Sequence, residues 1–366
     1  MDKIIGDLTS AYDDCISQRL GSLHGGIYLK IRETQRRLKL KDFHIWWCAI
    51  MDDWFEDSEG GCAYAALSDE YCVSIQHRNK IMTRKTSTGE LVSVIHINPN
   101  LEFGDNLVIS GTSIFSIWSN SSQWGIRTIS VLKTNLVENT TQEIMTYSTE
   151  ISCDCIDVRQ LSQTGNTFCS AFTKESTNVL QCYDLKNNTL LYDQQTFAFL
   201  PWPVCTSDVA LCFIKRTDFT EHLVIMKNVF IFRFTDKKET ILYNGHVSSM
   251  QCSYTTVAIF ECNDKIVLFD IETLGKTGEI HFSEHGTSFL QNFTLKTHGD
   301  DSFSWCYKTS DVHHHFGRYD KERNLKKLHF KFFGESTVGK YFGMTKNHIL
   351  FNESTQNQLR MLKNDA

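Results

Sequence analysis

The stretch NGHVSSMQCSYTTVAIFECNDKIVLFDIETLGKTGEI, residues 244–280, decides the reading of the fold. Gly245-His246 opens it, two apolar runs follow, and Phe269-Asp270 ends the second run before a polar turn and a further strand-like segment. Short runs of Val, Ile and Phe bounded by Asn, Asp, Gly and Thr have the texture of β-strands joined by tight turns. The aromatic offers a large face for packing, and the Asp can hydrogen-bond the turn backbone that follows it.

The same order of apolar strand, aromatic-Asp pair, polar turn and second strand recurs elsewhere. It is present in VLQCYDLKNNTLLYDQQTF (179–197), with Tyr183-Asp184, and in HHHFGRYDKERNLKKLHF (313–330), with Tyr319-Asp320. A weaker copy, NKIMTRKTSTGELVSVIHI (79–97), lacks the aromatic-Asp pair. Tyr183 precedes Phe269 by 86 residues with Phe232 between them, and Phe269 precedes Tyr319 by 50. Trp118, 65 residues before Tyr183, fits the series with an insertion over 133–150, and Phe351, 32 after Tyr319, fits as a short last repeat. A second series is carried by His: His246 and His285 each follow a strand at an equivalent place, 39 residues apart. A period of about 40–45 residues, one four-stranded sheet per repeat, is the mark of a β-propeller, and 60–366 at about 43 residues per blade gives about seven blades.

At this point the chain resembles the WD-repeat family. The unit from Gly245-His246 to Phe269-Asp270 is similar to that family's repeat, with Phe in place of Trp, and the resemblance extends in degenerate form over 60–366. It implies a propeller whose loop His, strand Ser/Thr, turn Asp and strand aromatic hold each blade. His246 matches the first, Asn263 or Asp264 the turn position, and Phe269 the aromatic without its N–H donor. Tyr183, Asp184, Asp270, His285, Tyr319 and Asp320 are then blade-holding residues, and none of these is catalytic. The resemblance further implies a non-enzymatic scaffold that binds a protein or peptide at its rim and loops.

Residues 1–59 differ in texture. IYLKIRETQRRLKLK (27–41) places Ile27, Ile31, Thr34 and Leu38 at helical spacing with basic residues on the other faces, which predicts a helical extension before the propeller. Its position, followed by Trp46-Trp47, is similar to that of the linker in F-box proteins with WD repeats. That likeness makes a substrate-recognition subunit of a ubiquitin ligase, with an adaptor subunit bound through 1–59, the alternative function. The full expectation is an all-β, seven-bladed WD-repeat-like propeller over 60–366 with a short N-terminal helical extension.

A nucleic-acid-associated or metal-dependent propeller is a further alternative, for which the sequence gives little footing. The 366 residues carry a net charge of -6, and the basic clusters at 30–41 and 321–327 lack interleaved aromatics, which argues against nucleic acid as a partner. The 13 Cys are an odd, scattered set behind an N-terminus without an export signal. Buried reduced thiols in a cytoplasmic protein are expected, the nucleus being the alternative compartment and secretion excluded. FHIWWCAIM (43–51) and LVIMKNVFIFRF (223–234) are too short or too charged to span a bilayer. His313-His314-His315, with Cys306 and His298 nearby, lacks the paired spacing of a zinc site, and Cys153/Cys155 lacks a partner pair; His281 and His285 have HxxxH spacing but fall at a strand end and in a loop, not on one face of a helix. Asp300-Asp301 follows Gly299 in a turn. No catalytic residue, metal or cofactor is expected.

Overall fold

The computed structural model describes residues 47–49 and 64–363, apart from 77–78, 122–125, 151–156, 175–176, 197–198, 216–226, 262–264, 283–290, 309–312, 321, 323–324, 332–337 and 354–357. After the short strand β1 (Trp47–Ala49), six sheets follow, each an antiparallel meander of four consecutive strands. The first comprises β2 (Tyr64–Leu67), β3 (Tyr71–Gln76), β4 (Lys80–Lys85) and β5 (Leu91–His96). The second holds β6 (Glu102–Ser110), β7 (Ser113–Ser121), β8 (Ile126–Asn135) and β9 (Thr140–Glu150). In the third are β10 (Asp157–Leu161), β11 (Thr167–Lys174), β12 (Thr177–Asp184) and β13 (Thr189–Thr196). The fourth has β14 (Phe199–Thr206), β15 (Ala210–Lys215), β16 (Lys227–Arg233) and β17 (Lys238–Gly245). The fifth has β18 (Val247–Cys252), β19 (Thr256–Glu261), β20 (Lys265–Asp270) and β21 (Lys276–His281). The sixth has β22 (Gln291–Thr297), β23 (Phe303–Lys308), β24 (His313–Tyr319) and β25 (Leu325–Lys331).

The chain ends in β26 (Val338–Met344), β27 (His348–Glu353) and β28 (Gln358–Lys363), and β1 completes their sheet by pairing antiparallel to β28, Cys48 opposite Leu362. The inner strands β2, β6, β10, β14, β18, β22 and β26 are neighbours in that order, and β26 returns to β2. A radial ring of sheets results, and a strand from near the N-terminus fastens the C-terminal sheet.

Burial explains which sequence forms which strand. The middle strands are covered on both faces, so β19 (TVAIFE) and β20 (KIVLFD) are continuous apolar runs. The outer strands have a solvated side, and β17 (KETILYNG) accordingly mixes polar and apolar residues. Apolar clusters fill the seams between sheets. One joins Cys205, Cys212, Ile231 and Leu242 of the fourth blade to Val247, Met250, Val257 and Phe269 of the fifth. Another joins Phe260 and Phe282 of the fifth to Trp305 and Tyr307 of the sixth.

The expectation of seven blades within 60–366 behind a helical extension is corrected on two counts. The repeat is uneven and in most steps longer than 43 residues. The turn between the third and fourth strands carries a left-handed residue at Gly89, Asn139, Asn188, Lys237 and Leu274, in steps of 50, 49, 49 and 37. The span 60–366 therefore holds six complete four-stranded blades and three further strands. Secondly, the fourth strand beside those three is β1, inside the stretch expected to be helical, and the described residues contain no helix. The expected helix at 27–41 lies outside the described residues. Trp118 and Phe351 were also placed in the wrong register. They lie on β7 and β27, the second strands of their sheets, whereas Tyr183 and Phe269 lie on third strands. The supposed insertion at 133–150 is part of the long β8–β9 hairpin.

Candidate functional site

In a four-strand meander the first and third turns fall at one end of the sheet, so one face of the ring is built from two recurrent turns. The third turn begins with an Asx residue in several blades. Asn135 Oδ1 accepts from Val137 N at 3.0 Å, Asp184 Oδ1 from Lys186 N at 2.9 Å, and Asp270 Oδ1 from Thr273 N at 2.7 Å. These bonds hold Asp270 below the usual carboxylate range, chiefly through the Thr273 amide. The first turn is closed by a hydroxyl. Ser68, Ser207, Ser253 and Thr345 each accept a hydrogen bond from the backbone N–H three residues on, those of Tyr71, Ala210, Thr256 and His348.

Two carboxylates in these first turns reach across to the preceding blade. Asp208 accepts from Ser162 Oγ at 2.6 Å, from Thr164 Oγ1 at 2.7 and 2.6 Å, and from Asn166 Nδ2 at 3.0 Å. Asp301 accepts from Thr255 N at 3.1 Å and Thr255 Oγ1 at 2.5 Å. Bonds to an ionised acceptor are stronger than neutral ones, so these clamps fix the turns of neighbouring blades in one surface. Deeper in the ring, Gln160 Nε2 on β10 donates to Gln251 Oε1 on β18 at 3.0 Å. Since β14 lies between those two inner strands, that bond bridges across it toward the ring centre.

The residues singled out in the sequence fall as follows. Tyr183 is half-buried and stacks on Phe168 and Tyr147 in a seam, and its hydroxyl donates to Gln181 Oε1 at 3.0 Å. Phe269 is buried against Tyr243, ring centroids 5.7 Å apart. Asp184 and Asp270 cap turns as described. Tyr319 ends β24 with Asp320 directly after it, both partly buried. His246 is half-buried at the β17–β18 junction, on the opposite face from the recurrent turns. His285, Asn263 and Asp264 lie outside the described residues, as do Cys153 and Cys155. His314 and His315 are both buried, so β24 is covered on its two faces, and His315 stacks on Tyr307 at 4.7 Å.

Sequence inspection missed two clusters. The first is a set of thiols. Cys205 and Cys212 face each other on β14 and β15, Cys252 comes in from β18, and the three sulfurs lie within 4.8 Å of one another. All three are sealed from solvent, at 0%, 0% and 1% exposure. Burial pushes the Cys205 thiol up, whereas hydrogen bonds from the Cys205 and Cys212 thiols pull the Cys252 thiol down. Cys169 and Cys182, paired across β11 and β12, are buried nearby, and Cys182 Sγ lies 3.7 Å from Thr206 Oγ1. The spacing of 7 between Cys205 and Cys212 and of 40 to Cys252 gives no local signature, because the ring alone brings them together.

The second cluster joins the sixth blade to the closing sheet. Buried Arg318 donates to the Met344 carbonyl at 2.6 Å and is paired with Asp300, which also accepts from Ser302 Oγ at 2.5 Å. Burial works against the Asp300 charge, but Ser302 and Arg318 outweigh it and hold the carboxyl low. His298 Nε2 lies 2.6 Å from Ser304 Oγ, and burial together with the Arg318 charge pushes its imidazole down to about 3.

The outer strands expose apolar side chains. Leu91, Val92 and Val94 are exposed along β5, which has a pairing strand on one side only among the described residues. Leu190 and Leu325 are exposed at the position equivalent to Leu91. Leu91 lies opposite Arg84, Leu190 opposite Tyr183 and Leu325 opposite Tyr319, each just past the third turn.

A ring of radial four-stranded sheets of this kind defines a β-propeller. The chain is similar to the β-propeller domain of the Trilobed protease from Pyrococcus furiosus, at 7% identity and TM-score 0.53, covering 84% of this chain and 96% of that one. That domain has an open velcro topology, whereas here β1 pairs with β28. It is also similar to U3-55K, at 11% identity and TM-score 0.50, covering 83% and 96% of the two chains. At such identities the likeness concerns the fold alone. No protein-family model matches the chain and no curated protein does so, and nothing in these comparisons supports the WD-repeat or F-box relation beyond the propeller itself.

Proposed function

We propose that this protein is a non-enzymatic scaffold that binds a protein or peptide on its rim. The propeller fold is compatible with that role. The observation that carries the reading is β5, where Leu91, Val92 and Val94 are exposed beside an edge that no described strand pairs. Apolar side chains on a free edge suit an extended segment of another protein, which would add a strand through main-chain hydrogen bonds and seat side chains on the valines.

The proposed setting is the cytoplasm, or alternatively the nucleus. Support comes from the cysteines, seven of which are buried thiols among the described residues. The finer reading, a ubiquitin-ligase substrate receptor, places its adaptor contact in 1–59, nearly all of it outside the described residues, and is tested by a pull-down with the adaptor subunit. The rim reading is tested by crosslinking partners to the folded protein and to a Val92→Lys/Val94→Lys variant. Loss of the partner at unchanged melting temperature is expected. Equal capture by both proteins would refute the use of this edge.

A further inference from the structure

We propose that Cys205, Cys212 and Cys252 form a buried three-sulfur site that takes a single Cu(I) ion. The three thiols come from two blades and meet with their sulfurs within 4.8 Å of one another. Three sulfurs around one ion at about 2.3 Å would stand about 4 Å apart, so loading requires a contraction of less than an ångström. This adjustment is small for β14, whose pairing with β15 already shifts register between Leu200 and Cys205.

The number and nature of the donors choose the ion. Structural zinc sites are closed by four ligands, and among the described residues this cluster offers three. Soft thiolates in a low-coordinate arrangement select Cu(I). Loading exchanges the three thiol protons for the ion: each sulfur binds as a thiolate, and the protons leave to solvent. The ion offsets part of the thiolate charge inside an apolar shell that includes Val247, Met250, Val257 and Ile271. Since the three cysteines are 1% exposed or less, the ion enters as the fourth and fifth blades close rather than by diffusion into the finished ring. Once bound, it ties β14 and β15 to β18 across the seam.

The test uses the full chain, refolded anaerobically with Cu(I) and then challenged with a soluble Cu(I) chelator. One Cu(I) per chain should be retained, with a melting temperature that rises with the Cu(I) supplied. Cys306→Ala, which removes a buried thiol of another seam, should retain the ion, while Cys252→Ala should lose it at least tenfold more readily. If Cys252→Ala fails to fold, X-ray absorption of the wild type decides alone, with three sulfur neighbours and no nitrogen or oxygen expected at the copper. Removal of all copper by the chelator, a nitrogen or oxygen ligand, equal retention by a folded Cys252→Ala, or retention of zinc in preference to copper would each overturn the assignment.

Discussion

Asp208 gives the most direct test of how the ring is held. Its carboxylate takes hydrogen bonds from three side chains of the preceding blade's first turn, Ser162, Thr164 and Asn166. Asp208→Ala removes the acceptor and leaves the donors. Asn166 is exposed and can turn to water, but Ser162 is fully buried and cannot. A hydrogen bond to a charged group contributes about 1.5–3 kcal/mol, and a partly rehydrated set of three is expected to lose about 2–3 kcal/mol in all. With an unfolding entropy of about 2.1 cal/mol/K per residue, a chain of this length should melt about 3–4 °C lower. Calorimetry measures the shift, and hydrogen exchange at the β10–β11 turn should accelerate alongside it. Glu138→Ala, at an exposed turn position, serves as the control. A double-mutant cycle with Ser162→Ala should show coupling of about 1 kcal/mol or more. Identical melting of Asp208→Ala and Glu138→Ala, or strict additivity with Ser162→Ala, would refute the clamp.

The remaining predictions concern the interior and the acid response. Gly317 lies directly opposite Trp305, and an added Cβ would come within 2.1 Å of the indole ring. Gly317→Ala should therefore destabilise by about 3 kcal/mol through overpacking, whereas Gly278→Ala, with its nearest atom at 3.9 Å, should stay within about 0.5 kcal/mol by chemical denaturation. His298 titrates near 3 when folded against an ordinary 6.5, so the unfolded chain binds the extra proton between those values. Stability should thus fall with acidification below about pH 6.5, and the lowered Asp300 acts in the same direction at lower pH. His298→Asn should lag the wild type near neutrality and close the gap on acidification. A gap that is constant from about pH 7 to about pH 4 would show that His298 does not carry the effect.

Much of the architecture was legible along the chain. Strand identity came through because buried strands need apolar runs and turns need Asx, Ser and Gly, both of which are local demands. Tyr183, Phe232, Phe269 and Tyr319 do fall on third strands, because an aromatic followed by a turn is a unit of adjacent residues. Blade number was misjudged because the repeat is mostly about 49 residues long, and Trp118 and Phe351, buried on second strands, imitate the third-strand signal. A short strand such as β1 leaves little pattern, since its pairing energy comes from β28, more than 300 residues away in the chain.

What the sequence determined by itself is therefore the local grammar of an all-β chain with repeating blades. Only the tertiary structure decided that Asp208 binds Ser162, that Arg318 reaches Met344, and that Cys205, Cys212 and Cys252 share one buried point. The physical reason is the same in each case. These contacts link different blades or different strands of a seam, and their chemistry depends on distance and exclusion of water, which ring closure sets and no spacing along the chain encodes.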